Sequence, residues 1–208
     1  MILRVVSGRI RPGDLEAVSQ SFRREYVPVA ARTSGLRRYV VAARIAEDGP
    51  RIAAMSIWQD VESAVTAYGG DLTTPRTVDG HDHGATFDRV DYYELEAGRS
   101  LADERTPTRL RLSAGTIARG LDADIQQALR SRLPNLPADA LEAYVGRRVL
   151  GGAVDIAFMS TWAVEPPGTP LDAPLWPEIS DRYATFRLEV HDVVLAGSGP
   201  AAEAPPEP

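Results

Sequence analysis

Two halves of the sequence carry the same short phrases in the same order, and this internal repeat restricts the fold more than any other feature. Met-Ser-x-Trp occurs at residues 55–58 and again at residues 159–162, although the 208-residue chain has only three methionines and three tryptophans. Further matches lie on both sides of it: Leu3-Arg4 with Leu110-Arg111, Gly8 with Gly115, Tyr39-Val40 with Tyr144-Val145, and Ala85-Thr86-Phe87 with Ala184-Thr185-Phe186. We therefore expect two copies of one unit of about 95 residues.

Hydrophobic periodicity in the first copy predicts the element order β-α-β-β-α-β. Residues 2–10 are β-branched and extended, and apolar residues then recur at helical spacing. The turn at residues 47–50 separates two strand-like runs and predicts an antiparallel hairpin. Asp60 is placed to cap a second helix, and a last strand is expected over residues 85–95. The helical residues are Leu15, Val18, Phe22 and Val29, with Asp14 as the expected cap of that first helix.

The second copy repeats this order with one damaged helix. Its first helix is predicted from Leu121, Ile125, Leu129 and Leu133, but residues 165–178 contain five prolines and predict a loop with one short turn near Trp176. We predict a first unit at residues 1–97, a polar linker at 98–107, a second unit at 108–196 and a disordered tail at 197–208.

The predicted class is α+β, with two tandem ferredoxin-like β-α-β-β-α-β units. Such a unit covers one face of its antiparallel sheet with two helices and leaves the other face bare. In the third strand Met55 and Ile57 alternate with Ser56 and Trp58, so both faces of the sheet require cover. Two sheets packed face to face would provide it, which predicts an intrachain pseudo-dimeric barrel and a monomeric protein.

Composition excludes several kinds of chemistry. The sequence has no cysteine, which removes disulfides, thiolate metal sites, iron–sulfur clusters and cysteine nucleophiles. All 23 basic residues are arginine, so no lysine can form a Schiff base. A net charge of -6 argues against nucleic-acid and anionic-membrane partners. No apolar run approaches the ~18 residues that cross a bilayer, and we expect a cytoplasmic protein.

Three stretches of the first copy resemble the dimeric α+β barrel superfamily, and within it the antibiotic-biosynthesis-monooxygenase-like domains. They are Gly35-Leu36-x-x-Tyr39 at the start of the second strand, the apolar third strand that ends at Trp58, and the helical start Asp60-Val-Glu-Ser-Ala. The resemblance covers about the first 97 residues. The second copy departs from it, because Ala140 stands at the glycine position and the helix after Trp162 is lost.

The resemblance implies a pocket between sheet and helices in which some relatives oxidise polycyclic phenols or anthrones with molecular oxygen, without metal or flavin. It therefore implies a small aromatic partner, no cofactor and no metal. By position, Trp58 would be a wall or hydrogen-bond donor and Arg44 an anion stabiliser. Polar contacts and pocket walls would come from Tyr39, Ser56, Phe22 and Tyr93. Each of these residues is equally open to a packing role in the core or, for Arg44, a solvated one.

The loop Val-Asp-Gly-His-Asp-His-Gly, at residues 78–84, is the other local feature. His81 is a candidate base near the mouth of the pocket, because an imidazole titrates near neutral pH. Two imidazoles and a carboxylate could also bind a divalent metal, and the alternative is a solvated loop before the last strand.

Two functions from different classes follow. The first is a cofactor-independent monooxygenase-like enzyme acting on an aromatic or polyketide-type molecule, with its site in the first copy. The second is a non-catalytic ligand-binding or stress-response barrel. A cavity for a multi-ring ligand would favour the enzyme, and a first copy filled by Trp58, Phe22, Met55 and Tyr93 would favour the second function.

Overall fold

A computed structural model describes residues 1–100, 105–117, 121–149, 155–164 and 176–200. These residues form eight strands: β1 (Ile2–Ile10), β2 (Leu36–Ala46), β3 (Gly49–Trp58), β4 (Ala85–Ser100), β5 (Arg109–Ile117), β6 (Ala140–Arg148), β7 (Asp155–Trp162) and β8 (Tyr183–Ser198). The α-helices are α1 (Leu15–Ser21), α2 (Val27–Ala30), α3 (Val61–Ala67), α4 (Asp122–Arg132) and α5 (Pro177–Ser180). Most of the predicted tail, part of the linker and most of the proline-rich segment lie outside the described residues.

Hydrogen bonding joins the strands in the order β1-β3-β2-β8-β5-β7-β6-β4, and this ladder closes as a barrel. The mixed α and β content and the closed barrel agree with the prediction. In the first half the chain runs from β1 through α1 and α2 to β2, β3, α3 and β4, and in the second half only the four-residue α5 stands between β7 and β8 among the described residues. The chain divides into two compact units: unit 1 contains residues 1–41, 45–90 and the end of the chain from 195, and unit 2 contains residues 42–44 and 91–194. The predicted limits 1–97 and 108–196 stay a prediction.

In unit 1, residues 2–9 of β1 pair antiparallel with residues 51–58 of β3, with Ile2 opposite Trp58 and Arg4 opposite Ser56. Directly opposed residues share a face of the sheet, so Arg4, Ser56 and Trp58 lie on one face. The hairpin between β2 and β3 is confirmed. Asp60 caps α3 as predicted, because its Oδ1 accepts a hydrogen bond from the Ser63 N–H at 2.7 Å.

The first helical segment contains a π-helix at residues Phe22–Tyr26, between α1 and α2. The buried apolar positions are Val18, Phe22, Tyr26 and Ala30, each four residues after the last. A regular α-helix turns about 40° too far over four residues, whereas the wider π-helical turn keeps such positions on one face. The segment therefore buries Tyr26, while the predicted Val29 is only half-buried. Asp14 precedes α1 without a side-chain capping bond, in contrast to the prediction.

In unit 2, β7 pairs with both β5 and β6, and Arg111 lies opposite Ser160. The predicted residues Ile125, Leu129 and Leu133 are buried in an apolar cluster that includes Trp162. Leu121 is 40% exposed because α4 begins one residue after it. A short helix, α5, follows Trp176, which agrees with the predicted turn.

Among the described residues, no helix combines the length and the apolar character that a membrane crossing requires.

Candidate functional site

The repeated Met-Ser-x-Trp phrase forms the same hydrogen bond in both units. Trp58 Nε1 donates to Ser56 Oγ at 2.9 Å, and Trp162 Nε1 donates to Ser160 Oγ at 2.8 Å. Residues i and i+2 of a strand point to the same face, so the serine can satisfy the indole N–H of a fully buried tryptophan. The phrase recurs because each copy buries its tryptophan in the same way.

An arginine stands across the strand from that serine in unit 1. Arg4 is 2% exposed, and its guanidinium lies 3.9 Å from the centre of the Tyr68 ring. It donates hydrogen bonds to the Tyr68 hydroxyl at 3.1 Å and to the Thr74 carbonyl at 3.3 Å. The Tyr68 ring in turn packs edge-on against Trp58, with 5.6 Å between ring centres. A buried positive charge is thus held among aromatic rings, where its field is weakly screened.

Two further tyrosines extend this aromatic cluster. Tyr26 packs edge-on against Tyr39 at 5.4 Å between ring centres, and its ring lies 6.3 Å from that of His83. Burial raises the pKa of Tyr26 well above its ordinary value, while the charges of Arg4 and Asp79 act on that pKa in opposite directions. Tyr26 is therefore neutral at physiological pH, and it lies within the electrostatic reach of both charged groups.

His83 enters the same cluster from the loop before β4. Its φ of 53° is the only positive value at a non-glycine residue in the part of the chain that the structure describes, and Gly80 and Gly84 beside it also have positive φ. This left-handed backbone turns the imidazole inward, where it is fully buried and stacks on Phe22 at 4.2 Å between ring centres. A strained histidine against a π-helix is an arrangement that recurs at functional sites.

Both ring nitrogens of His83 face polar groups. Nε2 lies 3.0 Å from Asp79 Oδ2 and 3.2 Å from Oδ1, and Nδ1 lies 3.0 Å from Ser21 Oγ and 3.7 Å from Glu25 Oε2. Burial raises the pKa of Asp79, but hydrogen bonds from His83 and Thr77 outweigh that effect and hold it below its ordinary value. An ionised Asp79 orients the imidazole within the loop.

Residues 68–84 connect α3 to β4 without regular secondary structure. The loop is fastened at its start, because Arg76 donates to the Tyr68 carbonyl and Asp71 accepts from the backbone N–H groups of Thr73 and Thr74. Hydrogen bonds from the Thr74 and Thr73 side chains hold the pKa of Asp71 far below its ordinary value. A loop of this length is uncommon in a compact domain and often serves as a lid or a binding loop.

Four of the predicted site residues lie in the unit 1 cluster. Trp58 and Ser56 are joined by their hydrogen bond, and Phe22 and Tyr39 both pack against Tyr26. Burial raises the pKa of Tyr39, so its hydroxyl is un-ionised near neutral pH. Trp58 is fully buried, and its indole N–H donates to Ser56. In this conformation the tryptophan packs within the aromatic cluster, and its N–H is already engaged by the protein.

The other three predicted residues lie apart from that cluster. His81 is exposed, although its ring is 6.1 Å from that of His83. Arg44 and Tyr93 belong to unit 2, where Tyr93 is paired with Arg148 across β4 and β6. Arg44 is half-buried, and its Nε is buried without a hydrogen-bond partner among the described residues.

Sequence reasoning did not single out Arg4, Tyr26 or Tyr68, and of the two histidines in the loop it chose His81 as the candidate base. Arg4 stands within a strand of β-branched residues, and an arginine recurs at the matching position of the second copy. This recurrence could have identified Arg4 from the sequence. Periodicity could not identify Tyr26, because the π-helix shifts the buried face. The loop that ends at Gly84 contains two histidines, His81 and His83. The sequence does not show which of them is turned inward, and only the backbone geometry does.

Among the described residues, no group of three or more histidine, aspartate or glutamate side chains is arranged to hold a metal ion.

No protein-family model and no curated protein matches the sequence. Solved structures do match along nearly the whole chain. A proposed monooxygenase from Fusobacterium nucleatum has a TM-score of 0.74 at 9% identity, covering 95% of this chain and 94% of that chain. A proposed monooxygenase from Lactobacillus acidophilus has a TM-score of 0.69 at 10% identity, covering 95% of both chains.

An anthrone oxidase-like protein has a TM-score of 0.60 at 14% identity, covering 95% of this chain and 92% of that chain. At these identities the likeness concerns the fold, and it extends over single chains of nearly the same length as this one. The chain therefore shares the fold of these solved structures, and its closed barrel agrees with the fold that the sequence resemblance implied.

Proposed function

We propose that the protein is a cofactor-independent monooxygenase-like enzyme that oxidises an electron-rich aromatic molecule, such as an anthrone, at a site in unit 1. The observation that carries the proposal is the buried His83–Asp79 pair beside an aromatic cluster that contains Arg4. A base and a fixed positive charge are the two groups that such a reaction requires.

In this mechanism His83 removes a proton from the activated carbon of the substrate. The resulting negative charge spreads onto the substrate oxygen, where the Arg4 guanidinium and the Tyr68 hydroxyl stabilise it. The carbanion transfers electrons to dioxygen, and a carbon–oxygen bond forms to give a peroxide. Loss of water from the peroxide leaves the new carbonyl, so one anthrone and one dioxygen give one quinone and one water.

Access to the site requires motion of residues 68–84. His83 has a fully buried side chain, and both Tyr68 and Thr74 of this loop contact Arg4. We infer that the loop is a lid that opens to admit substrate and closes to exclude water from the carbanion. Gly69 and Gly70 at its start have positive φ and are placed to act as its hinge.

We also propose that each half is a ferredoxin-like unit. The strand orders β4-β1-β3-β2 and β8-β5-β7-β6 support this, because both halves use the same arrangement of first, third, second and fourth strands. A monomeric protein follows from this arrangement, and a sedimentation mass of two chains would contradict it.

The second candidate is a non-catalytic barrel, and one observation favours it. Phe22, Met55, Trp58 and Tyr93 are each at most 2% exposed, which is the filled interior expected of a protein without a substrate site. The two candidates differ in whether the lid opens onto a space that a ligand can occupy.

Oxygen uptake by the metal-free protein tests the proposal, with a panel of anthrones and hydroquinones as substrates. His83→Gln and His81→Gln form a matched pair, because they remove one buried and one exposed imidazole from the same loop. We expect His83→Gln to reduce kcat by about 10²–10⁴-fold and His81→Gln to have little effect. The reverse result would return the base to His81, and no uptake with any substrate would favour the non-catalytic barrel.

A further inference from the structure

Ser21 hydrogen-bonds to His83, and the oxidation of an aromatic substrate gives that serine no role. Ser21 Oγ lies 3.0 Å from His83 Nδ1, while His83 Nε2 lies 3.0 Å from Asp79 Oδ2. A hydroxyl, an imidazole and a carboxylate therefore stand in one hydrogen-bonded row, which is the arrangement that activates a serine as a nucleophile. Ser21 is the last residue of α1 and the other two lie in the loop before β4, so no sequence motif contains all three.

Asp79 determines which nitrogen of His83 is basic. Burial raises the pKa of Asp79, but hydrogen bonds from His83 and Thr77 hold it below its ordinary value, so the carboxylate is ionised and can only accept. The proton of the neutral imidazole therefore lies on Nε2, and the lone pair lies on Nδ1, which faces Ser21. Phe22 stacks on the ring at 4.2 Å between ring centres and helps to fix its orientation.

The hydroxyl of Ser21 has one proton and two acceptors for it. Glu25 Oε2 lies 3.2 Å from Ser21 Oγ, compared with 3.0 Å for His83 Nδ1. The Glu25 side chain is 37% exposed and also accepts from Arg24, so solvent and that arginine can satisfy it. Nδ1 belongs to a fully buried ring, where water cannot replace the serine as donor. The proton of Ser21 is therefore placed between the serine and its base.

The row runs from a buried carboxylate towards solvent. The side chains of His83 and Asp79 are 0% and 3% exposed, whereas Ser21 is partly exposed. The base and its carboxylate are thus shielded from water, and the hydroxyl is the member of the row that an electrophile can approach.

We propose that Ser21 is a nucleophile that hydrolyses small aryl esters, with His83 as its general base and Asp79 as the positioning residue for that base. Ser21 Oγ bonds to the ester carbonyl carbon as its proton moves to His83 Nδ1, and the departing aryloxide takes that proton when its bond to carbon breaks. Water then cleaves the acyl-serine with the same base, so one ester and one water give one acid and one phenol. The activity shares His83 with the oxygenase reaction but does not rest on it.

Diisopropyl fluorophosphate is the probe, because an activated serine displaces its fluoride and keeps a phosphoryl adduct that mass spectrometry locates. The full-length protein should carry one adduct, on Ser21, while the exposed Ser131 stays unmodified. His83→Gln should slow the labelling by about 10²–10⁴-fold, and His81→Gln should not slow it. Ser21→Ala should abolish both the adduct and the hydrolysis of p-nitrophenyl acetate. An unlabelled Ser21, or an equal labelling rate in His83→Gln, would overturn the proposal.

The position of the proton on His83 is a readout from the unmutated protein and does not require a variant to fold. The chain has three histidines, so nitrogen NMR can assign each ring. We expect neutral His83 to carry its proton on Nε2. Asp79→Asn should move that proton to Nδ1, because the asparagine N–H donates to Nε2, and should slow the labelling by about 10²-fold or more. A proton on Nδ1 in the wild-type protein, or labelling at the wild-type rate in Asp79→Asn, would contradict the assigned roles.

Discussion

His83 Nε2 lies 3.0 Å from Asp79 Oδ2, and both side chains are buried in a loop where the histidine adopts a left-handed backbone conformation. Thr77 Oγ1 lies 2.6 Å from the other oxygen of the carboxylate and 2.6 Å from the His81 carbonyl oxygen, so its one proton is shared between these two acceptors. The pair therefore fixes both the orientation of the imidazole and the path of residues 77–84.

The His83–Asp79 pair predicts that the free energy of unfolding depends on pH. Burial raises the pKa of Asp79, and hydrogen bonds from His83 and Thr77 more than offset this and hold it below its ordinary value of 3.8. A carboxylate whose pKa falls on folding stabilises the fold above that ordinary value, and the contribution is lost as the pH falls through the folded pKa. Asp79→Asn should therefore destabilise the protein at pH 7, and its difference from wild type should shrink at pH 3.

Urea unfolding at the two pH values measures this difference. Asp82→Asn is the matched control, because Asp82 is exposed in the same loop and its side chain accepts a hydrogen bond from the Gly84 N–H. An Asp79→Asn effect that is as large at pH 3 as at pH 7 would mean that the charge of Asp79 does not stabilise the fold.

Ser56→Ala should destabilise the protein by about 1–3 kcal/mol, because it leaves the indole N–H of a fully buried Trp58 without a partner. Ser160→Ala should have an effect of similar size through Trp162. Chemical denaturation measures both, and Ser131→Ala on the exposed face of α4 should change stability by no more than about 0.5 kcal/mol. In a Trp58→Phe background the Ser56→Ala effect should decrease, and an unchanged effect would refute the assigned hydrogen bond.

The repeated glycines Gly8 and Gly115 allow close approach of a neighbouring strand. A Cβ atom on Gly8 would clash with the Thr86 carbonyl oxygen, and one on Gly115 would clash with the Thr185 carbonyl oxygen. Backbone cannot move aside as a side chain can, so Gly8→Ala and Gly115→Ala should each destabilise the fold by about 1–3 kcal/mol. The melting temperature of each variant tests this, with Ser7→Ala as the control in the same strand. Wild-type stability in both variants would contradict the close approach.

Asp91 should contribute far more to stability than an exposed aspartate. It is 2% exposed and pairs with Arg148 at 2.8 Å and with Arg187 at 3.2 Å. Removing the buried carboxylate leaves two guanidinium groups without its charge, so Asp91→Ala should destabilise unit 2 by about 3 kcal/mol. Asp192→Ala breaks the exposed pair with Arg109 and should change stability by less than about 1 kcal/mol. Equal effects in urea unfolding would contradict this contrast.

The architecture could be predicted because a repeat is a relation within the sequence itself. Once Met-Ser-x-Trp was placed on a strand, the period of two put Ser56 and Trp58 on the same face, and the structure joins them by a hydrogen bond. The Asp60 cap and the hairpin before Gly49 also depend on local chemistry, and both are present.

The site was less predictable because it depends on backbone geometry that no period encodes. The π-helix moves Tyr26 onto the buried face, and the positive φ of His83 turns that histidine inward while His81 stays exposed. The contact of Arg4 with Tyr68 joins residues 64 positions apart, and the loop that brings them together follows no periodic pattern.

Anaerobic absorption spectroscopy of the protein mixed with an anthrone tests the central claim most directly, because it detects loss of the substrate proton before oxygen reacts. We predict that the wild-type protein produces the spectrum of the anthrone anion at a pH where the free anthrone stays neutral. We also predict that His83→Gln does not, while His81→Gln does. An unchanged anthrone spectrum with the wild-type protein, or an equal anion signal with His83→Gln, would contradict a base at His83 and the enzymatic role proposed for unit 1.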